Sequence, residues 1–346
     1  MHRFLVYTDP HWSQYSSILR RRGAKYSVRL ENLIESMNWV ETFASQNGCE
    51  DVISCGDFFD KESLNCEEIS ALQDVNWSLN QHSFLVGNHE SNVSSLEFSS
   101  TKFFESIGAN VYDTIQRRSI NDYVDFYFIP YLTDDRLPKL ADIVVDKKKK
   151  NVIFAHLDIA GLQYGKYTSQ AGMNIDDILE NCTLFLDGHL HNGQTIQDKI
   201  VLIGNLTGQN FNEDALKYEH LVYLLTVNDD GTIILDAIEN PHAINFYKLK
   251  VDSLSELTIF DNLKQNSVVS VICDNNIKEQ VLNKIQSSPK ILEFRLNSIY
   301  SEFHEDTSNS IMSIKVDHIQ QFIDLANTKF EPSPALTDEL MRLRGV

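Results

Sequence analysis

The tightest constraint in this chain is positional: five short polar motifs each stand at the carboxyl end of an apolar run long enough for one strand. Asp9-Pro10-His11 follows residues 4–8, Gly56-Asp57-Phe58-Phe59-Asp60 follows 52–55, and Gly87-Asn88-His89-Glu90 follows 83–86. His156 follows 152–155, and Gly188-His189-Leu190-His191 follows 184–187. A further apolar run, 124–129, carries no motif. Between the runs lie helical patterns: residues 28–45 carry Leu30, Leu33, Ile34, Met37 and Val40 on one face, and 65–79 and 94–107 read the same way. Strands alternating with helices make a layered α/β fold. In such sheets ligands sit beyond the carboxyl ends of the strands, so five strand ends can converge on one crevice.

From residue 195 to 238 the apolar runs crowd together around Gly204, Gly208 and Asn228-Asp229-Asp230-Gly231, which predicts hairpins and antiparallel partners for the sheet. The composition shifts after Asn240-Pro241. Residues 1–240 are therefore expected as one domain and 241–300 as a small α/β cap. In the cap, helices are expected at 254–263 and 277–285 and strands at 268–273 and 291–296. A polar linker is expected over 301–315, then a tail over 316–346 with two short amphipathic helices, 317–327 and 334–344.

The formal net charge of −19 argues against binding nucleic acid by bulk charge, although local basic surface or bound cations can reverse the sign at a site. Arg20, Arg21, Arg22 and Lys25 cluster just after the first motif and are candidates for holding backbone phosphates; a solvated loop explains them equally well. The odd number of cysteines, five, includes no CxxC pair. With no basic-then-apolar leader and no run of about 18 apolar residues, the chain reads as cytoplasmic, in a host's cytoplasm if the source is viral, without membrane contact.

Asp and His together offer hard oxygen and imidazole nitrogen, which suit Mn, Fe or Zn better than calcium. The candidate ligands are Asp9, His11, Asp57, Asn88, His156, His189 and His191, too many for one ion and suited to two. In an extended backbone, Asp9 and His11 would share a side by period-two alternation, as would His189 and His191. Glycines ahead of Asp57, Asn88 and His189 allow close approach. A single Asp or His after a strand is usually a turn residue; five such motifs in order, holding five of the eleven histidines, are not explained that way.

The ordered set DxH, GDxxD, GNH, H, GHxH resembles the calcineurin-like metallophosphoesterases, and within them the SbcD type of recombination nuclease subunit. Gly56–Asp60 is similar to that group's GD-φ-F-D block, and Ile203-Gly204-Asn205-Leu206 resembles the segment after its GHxH motif. The resemblance implies an α/β/β/α sandwich with a capping domain and helical tail. It implies Asp9, His11 and His191 on one ion, Asn88, His156 and His189 on a second, and Asp57 bridging them. His89 would act on the scissile phosphate rather than as a ligand, with Asp60 and Glu90 orienting imidazoles or backbone. It further implies two divalent ions, Mn2+ foremost and Fe2+ or Zn2+ also suited. The implied activity is DNA exo- and endonuclease, in a homodimer assembled with an SbcC-type ATPase into a heterotetramer that works in recombination, repair or replication. A phosphomonoesterase or cyclic-nucleotide phosphodiesterase on the same scaffold, and a regulatory subunit with a vestigial site, are the alternatives.

Overall fold

Period-two alternation along the apolar runs decides the layering. The computed structural model describes residues 1–78, 81–92, 95–164 and 167–299, so the expected linker 301–315 and tail 316–346 lie outside the described residues. The chain runs through β1 (His2–Tyr7), α1 (Val28–Gln46), β2 (Asp51–Ser54), α2 (Cys66–Leu72), β3 (Gln81–Leu85), β4 (Asn110–Tyr112) and β5 (Gln116–Ser119). It continues through β6 (Val124–Ile129), β7 (Lys150–Ala155), α3 (Ile175–Asn181), β8 (Leu184–Asp187), β9 (Gln194–Ile196), β10 (Ile200–Leu202), β11 (Leu221–Val227) and β12 (Ile233–Glu239). One six-stranded sheet has the order β12-β11-β1-β2-β3-β4 and the other β9-β10-β8-β7-β6-β5.

Phe4 and Val6 of β1 pack with Phe126, Phe128, Val152, Phe154, Leu184 and Leu186 in a core between the sheets. The alternate residues Leu5 and Tyr7 pack outward on Leu30, Leu33, Met37 and Val40 of α1. On the far side Tyr127, Ile153 and Phe185 meet Ile178 of α3. The layers are therefore α/β/β/α, the arrangement that the family resemblance implies. Each fully buried large side chain contributes about 1.5–3 kcal/mol by leaving water.

The same packing aims the motifs. β1, β2 and β3 run parallel, with Tyr7 beside Ser54 and Ser54 beside Phe84. β6, β7 and β8 run parallel too, with Ile129 beside Ala155 and Ala155 beside Asp187. Both sets thus end together, and every strand among them except β6 stops at a motif. The predicted hairpins are present: β11 and β12 pair antiparallel across the Asn228–Gly231 turn, and β9 pairs antiparallel with β10.

Three expectations change. Residues 95–107 are not one helix but a strand, Ser95–Ser99, followed by a 3-10 helix, Ser100–Ile107. The Ser99 hydroxyl accepts from the Thr101 amide and starts the tighter turn, an example of serine competing for backbone. α2 stops at Leu72, short of 79: the amides of Gln73, Asp74 and Val75 reach back three residues rather than four, and the Trp77 indole also donates to the Leu72 carbonyl. The last part of the described chain starts one strand earlier than predicted, with β13 (Asn245–Val251) ahead of a 3-10 helix (Leu254–Asn262), β14 (Ser267–Asp274), α4 (Lys278–Ser287) and β15 (Ile291–Ile299). β13, β14 and β15 form a parallel sheet. Tyr247, Leu249 and Val251 face its core while Lys248 and Lys250 are exposed. Among the described residues no helix is long and apolar enough to cross a membrane.

Candidate metal centre

The backbone, before any side chain, marks the place. Asp9, His11, Asp57 and His189 all have positive φ, at 50°, 47°, 48° and 68°. Non-glycine residues rarely adopt this conformation, and it collects where the surrounding structure imposes it for function. Asp9 and His11 therefore do not share a side through strand alternation, as an extended DxH step would have them do. β1 has already ended at Tyr7, and two left-handed residues flanking Pro10 turn both side chains inward. The loop is held by its amides, which donate from Asp9 to the Gly56 carbonyl and from His11 to the Asp57 carbonyl. Gly87 leaves no room for a side chain, since a Cβ there would stand 2.1 Å from Asp57 Oδ1.

All seven candidate ligands come together. Asp9, His11 and His191 offer donor atoms within 4.8 Å of one another, as do Asp57, His156 and His189. Asn88 Oδ1 lies 3.2 Å from His156 Nε2 and 3.0 Å from His189 Nδ1. Asp57 Oδ2 lies between the groups, 3.2 Å from His156 Nε2 and 3.8 Å from His11 Nε2, while Oδ1 accepts the His89 amide.

Hydrogen bonds on the outer nitrogens decide what the inner ones present. His11 Nδ1 donates to Asp60 at 3.1 Å, His191 Nδ1 to Glu213 at 2.9 Å, and His156 Nδ1 to the Cys55 carbonyl at 2.7 Å. His189 is turned the other way, its Nε2 3.4 Å from Asp158 Oδ1, which makes Nδ1 the inward atom. Deprotonated on the inner side, as metal ligands must be, four imidazoles pinned like this would aim lone pairs at one another and at Asn88 Oδ1; His11 Nε2 and His191 Nε2 are 3.1 Å apart. Such an arrangement needs positive charge in its middle. Asp9 Oδ1, buried without a hydrogen-bond partner among the described residues, makes the same demand, while Oδ2 takes the Thr8 hydroxyl and the His189 amide. The donors fit divalent ions.

Electrostatics agree. Burial alone would lower the His11 imidazole, but Asp60 and Asp9 outweigh it and raise its pKa to about 10. His156 likewise rises to about 10 against its burial, chiefly through Asp57. Burial would raise the Asp57 carboxyl, yet His156 and His11 hold it well below the usual carboxylate range. Two almost wholly buried carboxylates thus draw in whatever cations they can.

The family model for calcineurin-like phosphoesterases matches residues 2–234. The chain belongs to this family. It is a phosphoesterase by fold and family, and the family's divalent metal chemistry has a matching donor set here. No curated protein matches the chain. Similar solved structures include a dimetal phosphatase from Danio rerio, 12% identical over 69% of this chain and 96% of its own, with a TM-score of 0.45. An archaeal phosphodiesterase is 13% identical over 68% and 99% of the two chains (TM-score 0.35), and a calcineurin-like phosphoesterase from Bacillus subtilis is 11% identical over 69% and 90% (TM-score 0.37).

The other predicted residues fall around this phosphoesterase centre. His89 is half-exposed at its mouth, with Nδ1 3.3 Å from the Asp60 carbonyl, so Nε2 faces outward. His89 also lies within ligand range of His11 and Asp57, but it alone among these imidazoles is exposed. Glu90 is buried and grips backbone, accepting from the Phe59 and Gly87 amides at 2.8 Å each. Burial, then Asp57, raises its carboxyl to about 7. Of the basic cluster, Arg21 pairs with Glu293, Arg22 with Glu67 and Lys25 with Asp74, whereas exposed Arg20 bonds the Ser17 carbonyl and, among the described residues, no carboxylate. Exposed pairs of this kind contribute little and exchange readily.

Sequence reasoning missed Glu213 and Asp158, which fix His191 and His189, and Tyr131, whose ring lies 5.8 Å from that of His189. Asp158 had a signal in standing two residues after His156. Glu213 had none, because a loop of unremarkable composition brings it 22 residues back to His191.

Proposed function

We propose that this phosphoesterase is the nuclease subunit of an SbcCD-type system, a Mn2+-dependent DNA exo- and endonuclease that hydrolyses phosphodiesters. The observation that carries the hydrolytic part is the convergence of seven donors on two triads joined by Asp57, with His89 half-exposed beside them. Bound divalent ions would polarise the phosphodiester and activate the attacking water. The chain's own residues hold the two sets of donors, with Asp57 common to both. Outward-facing His89 Nε2 is placed to stabilise charge on the phosphate or give a proton to the leaving oxygen. DNA as the substrate is supported by the motif resemblance to the SbcD type and by Arg20, Arg21, Arg22 and Lys25 on the surface after the first motif. A homodimer, an SbcC-type ATPase as partner and recombination or repair as the setting rest on that resemblance.

The test is Mn2+-dependent digestion of linear DNA by the purified chain, with and without an SbcC-type ATPase. Cleavage that needs Mn2+ and the intact site is expected. Efficient hydrolysis of small phosphomonoesters or cyclic nucleotides with no DNA cleavage under either condition would move the chain to one of those activities. No hydrolysis of any phosphoester by a metal-loaded sample would point to a regulatory subunit.

A further inference from the structure

A buried cation beside the metal centre has no place in the ligand set. Arg29, in the first turn of α1, is only 3% exposed. Its guanidinium donates to the Gly208 carbonyl at 2.9 Å and the Pro10 carbonyl at 2.8 Å, which among the described residues leaves three of its five N–H groups over. Glu213 and Asp60 act on it only at a distance, and both carboxylates already bond the imidazoles of His191 and His11. Burial of a cation without a close carboxylate is costly, so this guanidinium has donors to spare for an anion.

Arg29 lines a cavity of about 220 Å3 whose wall also includes His11 and Asp60 from the centre and Ser17, Gln209 and Asn210 from the other side. Gln209 Nε2 is buried there without a hydrogen-bond partner among the described residues. A second, more open cavity of about 460 Å3 shares Tyr15, Ser16 and Leu19 with the first and is walled by Arg20, Arg21 and Arg22. Donors and cations thus line a path leading from His11 outward to the basic surface.

We propose that the Arg29 cavity binds the phosphate next to the scissile one on a nucleic-acid strand, with Arg29 and Gln209 as its donors. This rests on the phosphodiesterase reading above and names the subsite that would distinguish a strand from a small ester. An anion recognised by a buried guanidinium forms strong charge-assisted hydrogen bonds, whereas a substrate with a single phosphate leaves the cavity unused.

The test compares three thymidine dinucleotides in Mn2+: one without a terminal phosphate, one 5′-phosphorylated and one 3′-phosphorylated. For the wild type, one phosphorylated form is expected to exceed the bare one in kcat/KM by about tenfold or more, the size of one charge-assisted hydrogen bond. Arg29→Gln and Gln209→Leu are expected to bring that ratio down to about twofold or less, mainly through KM. Equal kcat/KM for all three substrates in the wild type overturns the proposal. So does an equal loss on all three in both variants, which would make Arg29 only a clamp between Pro10 and Gly208. Should Arg29→Gln fail to fold, the ratio in Gln209→Leu decides alone, because its side chain holds no backbone. A wild type that cleaves none of the three yet hydrolyses a phosphomonoester removes the phosphodiesterase reading itself, a different failure.

Discussion

His89 and His11 show how one residue type is put to two uses by what its ring touches. His11 has one nitrogen on Asp60 and the other turned into the cluster, while His89 leaves a nitrogen outward. His89→Gln should therefore lower kcat on DNA by about 10²–10⁴, the range for loss of a general acid or base, with metal content by elemental analysis unchanged. Loss of metal along with activity would make it a ligand instead. Elsewhere burial outweighs hydrogen bonding: burial, helped by Lys264 and Arg29, holds the His220 imidazole below its usual value although its Nδ1 donates to the Asn205 carbonyl and Glu213 lies near. The unfolded chain then binds a proton near pH 6.5 that the native chain refuses. Stability from neutral His220 is full above that pH and falls as pH drops through it, at no more than about 1.4 kcal/mol per unit. Urea unfolding from about pH 7.5 to 5 should show a shallower loss in His220→Asn than in the wild type; parallel slopes would reject this. At this scale the ligands were legible because each stands next to a strand end in the sequence. Glu213 was not, since its role is defined by a contact that only the folded loop creates.

At the scale of elements, strand ends were legible and the backbone beyond them was not. Val124–Ile129 and Leu184–Asp187 fall where the apolar runs put them, and α1 begins where Ser27 can cap it, its side chain accepting from the Leu30 amide. β13 was not predicted because its alternation is short: Asn245, Phe246 and Tyr247 are all buried, and only Lys248 and Lys250 break the run before Val251. The geometry after β1 escaped for a physical reason: side-chain pattern reports α or β periodicity, and four left-handed residues in short loops have neither. Close approach between loops was nevertheless foreseeable from glycine. Gly87→Ala forces a methyl group to within 2.1 Å of Asp57 Oδ1, so either the carboxylate or the Asn88 loop must shift. Because catalysis depends on sub-ångström placement, the variant should lose about 10²-fold or more in activity and bind less Mn2+, with far-UV circular dichroism unchanged. Full activity would mean that the two loops approach less closely than the structure places them.

Over the whole molecule, the two sheets bring together at one edge a charge arrangement that the protein alone leaves incomplete. Asp9 and Asp57 are at most 1% exposed, and the four inward imidazoles, in the deprotonated form that binds a metal, would add lone pairs rather than compensating charge. Ions that bind this native cluster and not the unfolded chain must stabilise the fold, by about 2.7 kcal/mol at a hundred times the dissociation constant. For a domain this large that corresponds to a rise in Tm of roughly 5–10 °C. A chain with a net charge of −19 also attracts divalent cations nonspecifically, so a rise in Tm by itself proves little. Two comparisons separate the effects. Imidazole donors favour Mn2+ over Ca2+ whereas a diffuse acidic surface scarcely distinguishes them, so Mn2+ should raise Tm more at equal concentration. Asp57→Asn removes the carboxylate between the two triads but changes the net charge by only one, so it should abolish most of the Mn2+ increment while leaving any Ca2+ increment in place. Equal increments from the two ions, or a Mn2+ increment that survives Asp57→Asn, would locate the binding on the surface and leave the buried carboxylates without the partner their environment requires.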